Sequence, residues 1–201
     1  MRVIPRRDNV ALTKVQQGVI GQFEAAKLMM MGSDGKLEVA APYSDDERRD
    51  EEIHARGQFG KALGLQMKTT MRLVRQGTTY RISFVFPIRR ERIISHPLFW
   101  YLFAYLDPKT MAFGDPMFLV PSAAVHASLK RRQGKTYLAF HASMGPKTHD
   151  QWVQYRVHPA DLGKRVLQIL TTRGRLPKAE LLAIPARGSD FIWVGIHRGR
   201  A

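Results

Sequence analysis

Two neighbouring stretches carry the residues best suited to chemistry. Residues 64–70 read "GLQMKTT", and an alternating strand there puts Leu63, Leu65, Met67 and Thr69 on one face and Gly64, Gln66, Lys68 and Thr70 on the other. Just upstream stands "SDDERRDEE": six of the chain's seventeen acidic residues lie between Asp45 and Glu52, in a chain of net charge +15. Carboxylates repel polyanions, so a concentrated acidic patch in so basic a protein needs a reason, and binding a divalent cation is one. Metal-assisted phosphodiester hydrolysis has that composition. It needs hard oxygen ligands for the ion, a bound water made acidic by it, a nearby cation such as lysine, and positive charge elsewhere for the substrate. The other reason is a charged loop in which Arg48 and Arg49 act as internal counter-ions.

Bulk composition narrows the setting. The chain has 201 residues, 44% of them hydrophobic, enough for one domain with a core and a small appendage. Residues 127–201 hold 14 Lys/Arg against 4 Asp/Glu, so the positive charge concentrates there. Such a surface attracts polyanions, nucleic acid foremost, with anionic lipid as the other class. No apolar run approaches the roughly 20 residues of a membrane span. The start, "MRVIPRRDN", has no apolar segment behind it, so secretion is not expected and a cytoplasmic location is. Absence of cysteine excludes disulfides, thiolate zinc sites and a cysteine nucleophile. The seven histidines form no HExxH or close pair, and Ser122 reads as a helix cap because no G-x-S-x-G surrounds it.

The elements that must position these residues follow from periodicity. Val15, Val19, Ile20, Phe23, Ala26 and Met30 recur at steps of three and four, predicting a helix from Thr13 to Met31 with this apolar stripe buried and Gly32 as its stop. Strands are expected over 36–41, in "EIHARG", over 62–70, over 79–86 with Pro87 ending it, in "LFWYLFAYLD", in "PMFLVPS" and in "KTYLAFHA". A helix from Ala123 to about Arg132 follows Ser122, so "KRRQGK" (130–135) falls at a basic helix end. "HPADLGKRVLQIL" predicts a second helix, with Pro159 near its start and Gly174 past its end. "DFIWVGIHRG" reads as an edge strand or a partner-dependent tail. The order predicts an α/β (α+β) protein with a central mixed β-sheet.

An early helix bearing Glu, a strand beginning with Asp, a turn, and a strand carrying Gln/Glu-x-Lys together resemble the layout of the PD-(D/E)XK nuclease superfamily. The order looks like the branch of archaeal Holliday junction resolvases and small bacterial nuclease-like proteins. The matching pieces are "GVIGQFEAAKLMMMG", "PYSDDERRDEEIHARG", "LGLQMKTT" and, more loosely, "FWYLFAYLD" with "DPMFLVPS", over about residues 12–125. The resemblance implies a restriction-endonuclease-like core with helices flanking the sheet, within a domain of residues 12–170, preceded by a lead-in (1–11) and followed by a basic extension (171–201). It implies Glu24, Asp50, Gln66 and Lys68 as catalytic residues. Mg²⁺ or Mn²⁺ would be held by Asp50 and the Met67 carbonyl, with Glu24 acting through water. Gln66 would orient the attacking water or ligate weakly, and Lys68 would stabilise the phosphate charge.

Two features depart from the family pattern. Gln66 replaces a carboxylate, and Glu51 and Glu52 stand where aliphatic residues usually follow the Asp, which makes them rivals of Asp50 for the ligand role. Taken singly, Glu24 also reads as a solvated helix carboxylate and Lys68 as a surface strand lysine. The leading expectation is a Mg²⁺-dependent nuclease acting on DNA in repair, recombination or defence, with Lys130, Arg131, Arg132 and Lys135 on the nucleic-acid backbone. Its alternatives are a DNA-binding module on the same fold without catalysis, and a subunit of a nucleic-acid complex. Nucleic acid, DNA first, is the expected partner; a membrane is not, and a homodimer stays open.

Overall fold

In a computed structural model, residues 12–42, 49–58, 60–89, 93–132, 134–146 and 148–173 are described. The lead-in, three acids of the run (Asp45, Asp46 and Glu47), Gly174 and the "DFIWVGIHRG" segment lie outside them.

The first helix, α1 (Lys14–Gly32), starts where expected because Thr13 caps it: its hydroxyl accepts from the Gln16 N–H, and the Gln16 side chain accepts from the Thr13 N–H in return. Its end departs slightly from expectation. Gly32 is the last helical residue, Ser33 is the C-cap, and the left-handed turn falls on Asp34 and Gly35. Strands β1 (Leu37–Ala40), β2 (Glu51–Ala55) and β3 (Ala62–Thr70) then form an antiparallel meander. β3 pairs in parallel with β6 (Phe99–Tyr105), which pairs antiparallel with β7 (Met117–Pro121). With β10 (Arg156–Val157) at the edge, the result is a central mixed sheet in the order β1-β2-β3-β6-β7-β10.

Helices α1 and α3 (Leu162–Arg173) cover one face of this sheet. Ala25, Met29, Leu162, Val166 and Ile169 pack there against Leu63, Leu65, Met67, Trp100 and Leu102. Which stripe of α1 is buried corrects the sequence reading. Val15, Phe23 and Met31 are about three-quarters exposed, and Val19 and Met30 are exposed too, while Gly21, Glu24, Ala25 and Met29 face inward. The reason is close approach. A Cβ at Gly21 would meet the Thr69 methyl at 2.5 Å, and one at Gly32 would meet the Ala160 carbonyl at 2.9 Å. The helix therefore sets glycine where it comes closest to its neighbours, with Ala25 and Met29 filling the core beside them.

The opposite face is covered by a second sheet that the sequence reading did not separate from the first. It is antiparallel, in the order β4 (Val74–Gln76), β5 (Thr79–Ile88), β9 (Lys135–Ser143), β8 (Lys130–Arg132). Ile82, Leu138 and Phe140 pack from it against Phe99, Tyr101, Phe103, Phe118 and Val120. The Phe103 and Phe140 rings stack with centroids 3.8 Å apart. Pro87 does not end β5: it pairs with Tyr137, beyond the point where β4 stops at Val74↔Arg81, so its missing N–H removes nothing from the β4–β5 ladder.

Residues 123–132 also differ from expectation. Helix α2 (Ser122–Ala127) is short, and 130–132 is a strand that turns through Gly134 (φ 71°) into β9. Ser122 is not a side-chain cap: its hydroxyl donates to the His96 carbonyl and accepts from the His96 N–H, tying β7 to the loop before β6.

Candidate functional site

The strand pairing brings the sequence-selected residues of β2 and β3 together. The Asp50 N–H donates to the Leu65 carbonyl at 2.9 Å, which sets Asp50 one step before the first residue of β2 and beside Gln66. From there one carboxylate oxygen, Oδ2, accepts two hydrogen bonds of 2.6 Å, from the Gln66 side-chain amide and from the Met67 N–H. Short contacts to a carboxylate are the strong, charge-assisted kind. Leu65 directs its carbonyl toward β2, and strand alternation directs the Met67 carbonyl the same way, at a level where β2 has not yet begun to pair. The Asp50 carboxylate and the Met67 carbonyl thus lie on the same side of β3, at the start of β2. Gln66 is buried and Asp50 half-buried.

Lys68 lies one residue beyond Met67, on the Gln66 face, turned toward the second sheet; its ammonium stands 5.5 Å from the centre of the Phe86 ring of β5. Glu24 approaches from the other face. Helix α1 runs antiparallel to β3: Gln17 donates to the Thr69 carbonyl at 2.7 Å, Gly21 packs on Thr69, and the chain returns through β1 toward the beginning of β3. Glu24, three residues and about 4.5 Å further along the axis, is therefore level with the middle of β3. It is buried and ion-paired with Lys27.

The register also separates Asp50 from its rivals. Glu52 pairs with Gly64 and forms an ion pair with Arg49 at 2.5 Å. Glu51 pairs with Leu65 and shares its face, pointing into the helix layer, where it is 3% exposed. Among the described residues its Oε2 atom is buried and meets no hydrogen-bond donor. Burial, with the Asp50 charge beside it, pushes the Glu51 carboxyl up to about 8, so it is protonated at neutral pH. Of the three acids, Asp50 is the one that touches the Gln66–Met67 segment.

The donor set suits a hard cation. A carboxylate and a backbone carbonyl at a strand end are ligands of the type that Mg²⁺ and Mn²⁺ take, with water completing the shell. Among the described residues no group of three or more His, Cys, Asp or Glu side chains gathers to hold an ion unaided. Gln66 presents its NH₂ to Asp50, so its oxygen is directed elsewhere. Lys130, Arg131 and Lys135 lie apart from these residues, on the β8–β9 hairpin, with the backbone of Arg132 paired to Lys135. The basic residues that sequence reasoning passed over are on β4 and β5, Arg75 and Arg81. The alternation in "TYRISFVF" carried the signal for Arg81, because it sets Arg81 opposite in facing to Ile82.

The fold is that of a mixed α/β protein whose central sheet joins Asp50 to Gln66 and Met67 at the start of β2, with Lys68 two residues beyond Gln66 on β3. No family model matches the chain, and no curated protein does. Among solved structures, it is similar to a bacterial homing endonuclease, I-Ssp6803I, at 13% identity and a TM-score of 0.45, over 81% of this chain and 97% of that one. A likeness of that size assigns neither a family nor an activity. No helix among the described residues is long and apolar enough to cross a membrane.

Proposed function

We propose that this chain is a Mg²⁺-dependent nuclease that hydrolyses phosphodiester bonds of DNA, in repair, recombination or defence, with Mn²⁺ able to replace Mg²⁺. The observation that carries this reading is the Asp50 carboxylate, fixed by the Gln66 amide and the Met67 N–H beside Lys68, in a chain of net charge +15. Asp50 and the Met67 carbonyl would hold the ion, and Glu24 a water on the helix side. The bound ion would supply an acidified water and offset charge on the phosphate. The chain's own residues do the rest. Gln66 holds Asp50 in one orientation, so the carboxylate meets its target without rearranging. Lys68 offers a positive charge to the phosphate from the Gln66 face. The resemblance to the PD-(D/E)XK pattern supports the same roles.

Purified protein is expected to nick or cut DNA with Mg²⁺ or Mn²⁺, and to lose this activity with EDTA, in Asp50→Asn and in Lys68→Ala. No turnover on duplex, single-stranded or branched DNA would reject the reading, as would a Lys68→Ala variant that cuts like the parent. A second reading has its own observation: Gln66 donates to Asp50 instead of adding a carboxylate, and Glu51 is held protonated. On that reading the chain is a nucleic-acid-binding module without catalysis. It predicts salt-sensitive DNA binding, no metal-dependent turnover and no Mg²⁺ binding by calorimetry.

A further inference from the structure

The second sheet carries charge of one sign, whereas the central sheet carries both. Strands β4, β5, β8 and β9 contain no Asp or Glu, and they carry Arg75, Arg81, Lys130, Arg131, Arg132 and Lys135. In the central sheet, by contrast, β1 and β2 hold Glu38, Glu51 and Glu52. A surface charged only for solubility intersperses both signs. A four-stranded sheet of one sign is instead built for an anion.

The pairing shows which of these residues look outward. Ile82, Leu138 and Phe140 are fully buried, so their alternates on β5 and β9 form the outer face: Arg81 opposite Ser143, Ser83 opposite His141, Val85 opposite Ala139, and Pro87 opposite Tyr137. Lys130 of β8 pairs with Tyr137, which puts it on the same face, and Lys135 lies two residues before Tyr137. Lys130 and Lys135 are exposed, and Arg81 is half-exposed. The His141 imidazole bonds the Ser83 hydroxyl at 2.9 Å; burial lowers its pKa, and the charges of Arg81 and Lys130 lower it further, as expected in a field of one sign. From the level of Arg81 to Lys135 the face measures about 26 Å, roughly eight base pairs of duplex.

We infer that the outer face of this second sheet is a binding surface for double-stranded nucleic acid, with Arg81, Lys130 and Lys135 set on backbone phosphates. This rests on the nucleic-acid reading above and adds where the duplex lies. One feature favours a duplex over an anionic membrane: beside Pro87 and Tyr137 the face is lined by small and polar residues (Ser83, Ala139, Ser143), and Val85 is its one large aliphatic side chain that is more than half exposed among the described residues, so it offers little to insert into lipid. The candidate site lies on the inner side of β5, where Phe86 meets Lys68, so the outer face is a separate surface of the same sheet.

The test is duplex binding by the full chain in EDTA, so that turnover plays no part. Fluorescence anisotropy of a 20-base-pair DNA is followed across salt for the parent, for the triple variant Arg81→Ala/Lys130→Ala/Lys135→Ala, and for Lys164→Ala/Arg165→Ala on α3. The triple variant is expected to bind at least tenfold more weakly, with the slope of log K against log salt reduced by about three. The α3 variant should stay within about twofold of the parent. Lys130→Glu alone, an exposed position that the fold tolerates, should weaken binding several-fold and guards against a misfolded triple variant. Parent-like binding by both the triple variant and Lys130→Glu overturns the assignment while leaving nucleic-acid binding in place. A parent that binds no duplex even at low salt overturns the assignment, and the nuclease reading then rests on the cleavage test with single-stranded and branched DNA. Preferential, sheet-dependent binding to phosphatidylserine vesicles reassigns the face to lipid.

Discussion

The Asp50 carboxylate and the Gln66 amide are joined by a hydrogen bond of 2.6 Å, and the same oxygen accepts the Met67 N–H at equal length. One side chain thereby closes the end of β2 onto β3 and holds a carboxylate at the point where that pairing begins.

Substituting Asp50 tests both roles. Asp50→Ala leaves the Gln66 NH₂ and the Met67 N–H without their acceptor, at a cost of about 1–3 kcal/mol for an unsatisfied buried donor. Asp50→Asn keeps the shape but removes the charge. Chemical denaturation should rank the variants parent, then Asn, then Ala in stability. Calorimetry should find Mg²⁺ and Mn²⁺ binding lost in both.

Gln66→Glu replaces the donor with a second carboxylate. Two like charges at this distance disfavour each other's ionised forms. In EDTA the melting temperature should fall by several degrees, and saturating Mn²⁺ should restore more of it than it adds to the parent. An equal response of both proteins to Mn²⁺ would mean that Gln66 does not border the ion.

Lys68→Ala removes the cation on the Gln66 face. Cleavage is expected to fall by about 10²-fold or more, on the scale of losing one preorganised electrostatic contact. Stability should change by about 1 kcal/mol or less, since the cation–π contact to Phe86 involves a part-exposed lysine. Gel assays at matched protein concentration separate the two effects.

Glu51 sets a pH dependence of stability. Its carboxyl titrates near 8 in the folded chain against 4.5 in the unfolded one. Between those values the folded state holds a proton that the unfolded state has released. Stability therefore declines as pH rises from about 4.5 to about 8 and levels off above. In metal-free buffer the melting temperature should drop across pH 5–8.5. Glu51→Gln, which stays neutral, should flatten that decline.

Gly21→Ala probes the contact that brings α1 onto β3. The added methyl meets the Thr69 side chain, and overpacking of this kind costs about 1–3 kcal/mol, more than alanine's better helix propensity returns. Thr69→Ala should be mild by itself and should recover most of the loss in the double variant. Additive losses would show that the two residues do not press on one another.

Much of this protein is legible in its residues. Thr13 with Gln16 marks the start of α1, the apolar run from Phe99 to Tyr105 marks a strand buried on both faces, and Leu63, Leu65 and Met67 against Gly64, Gln66 and Lys68 give the facing of β3. These are local properties, set by capping chemistry and by side-chain period. What needed the tertiary structure was set by neighbours distant in sequence. The exposed stripe of Val15, Val19 and Phe23 follows from Thr69, some fifty residues away, whose side chain packs so closely on Gly21 that a larger residue there would have to displace it. That Asp50, and not Glu51 or Glu52, meets Gln66 follows from the β2–β3 register: Glu51 lies on the other face, and Glu52 lies two residues away, opposite Gly64. The second sheet joins β5 and β9, nearly sixty residues apart, and collects on one face cations that the sequence leaves scattered. Residue type determined which groups could do the chemistry; packing and register decided which of them meet.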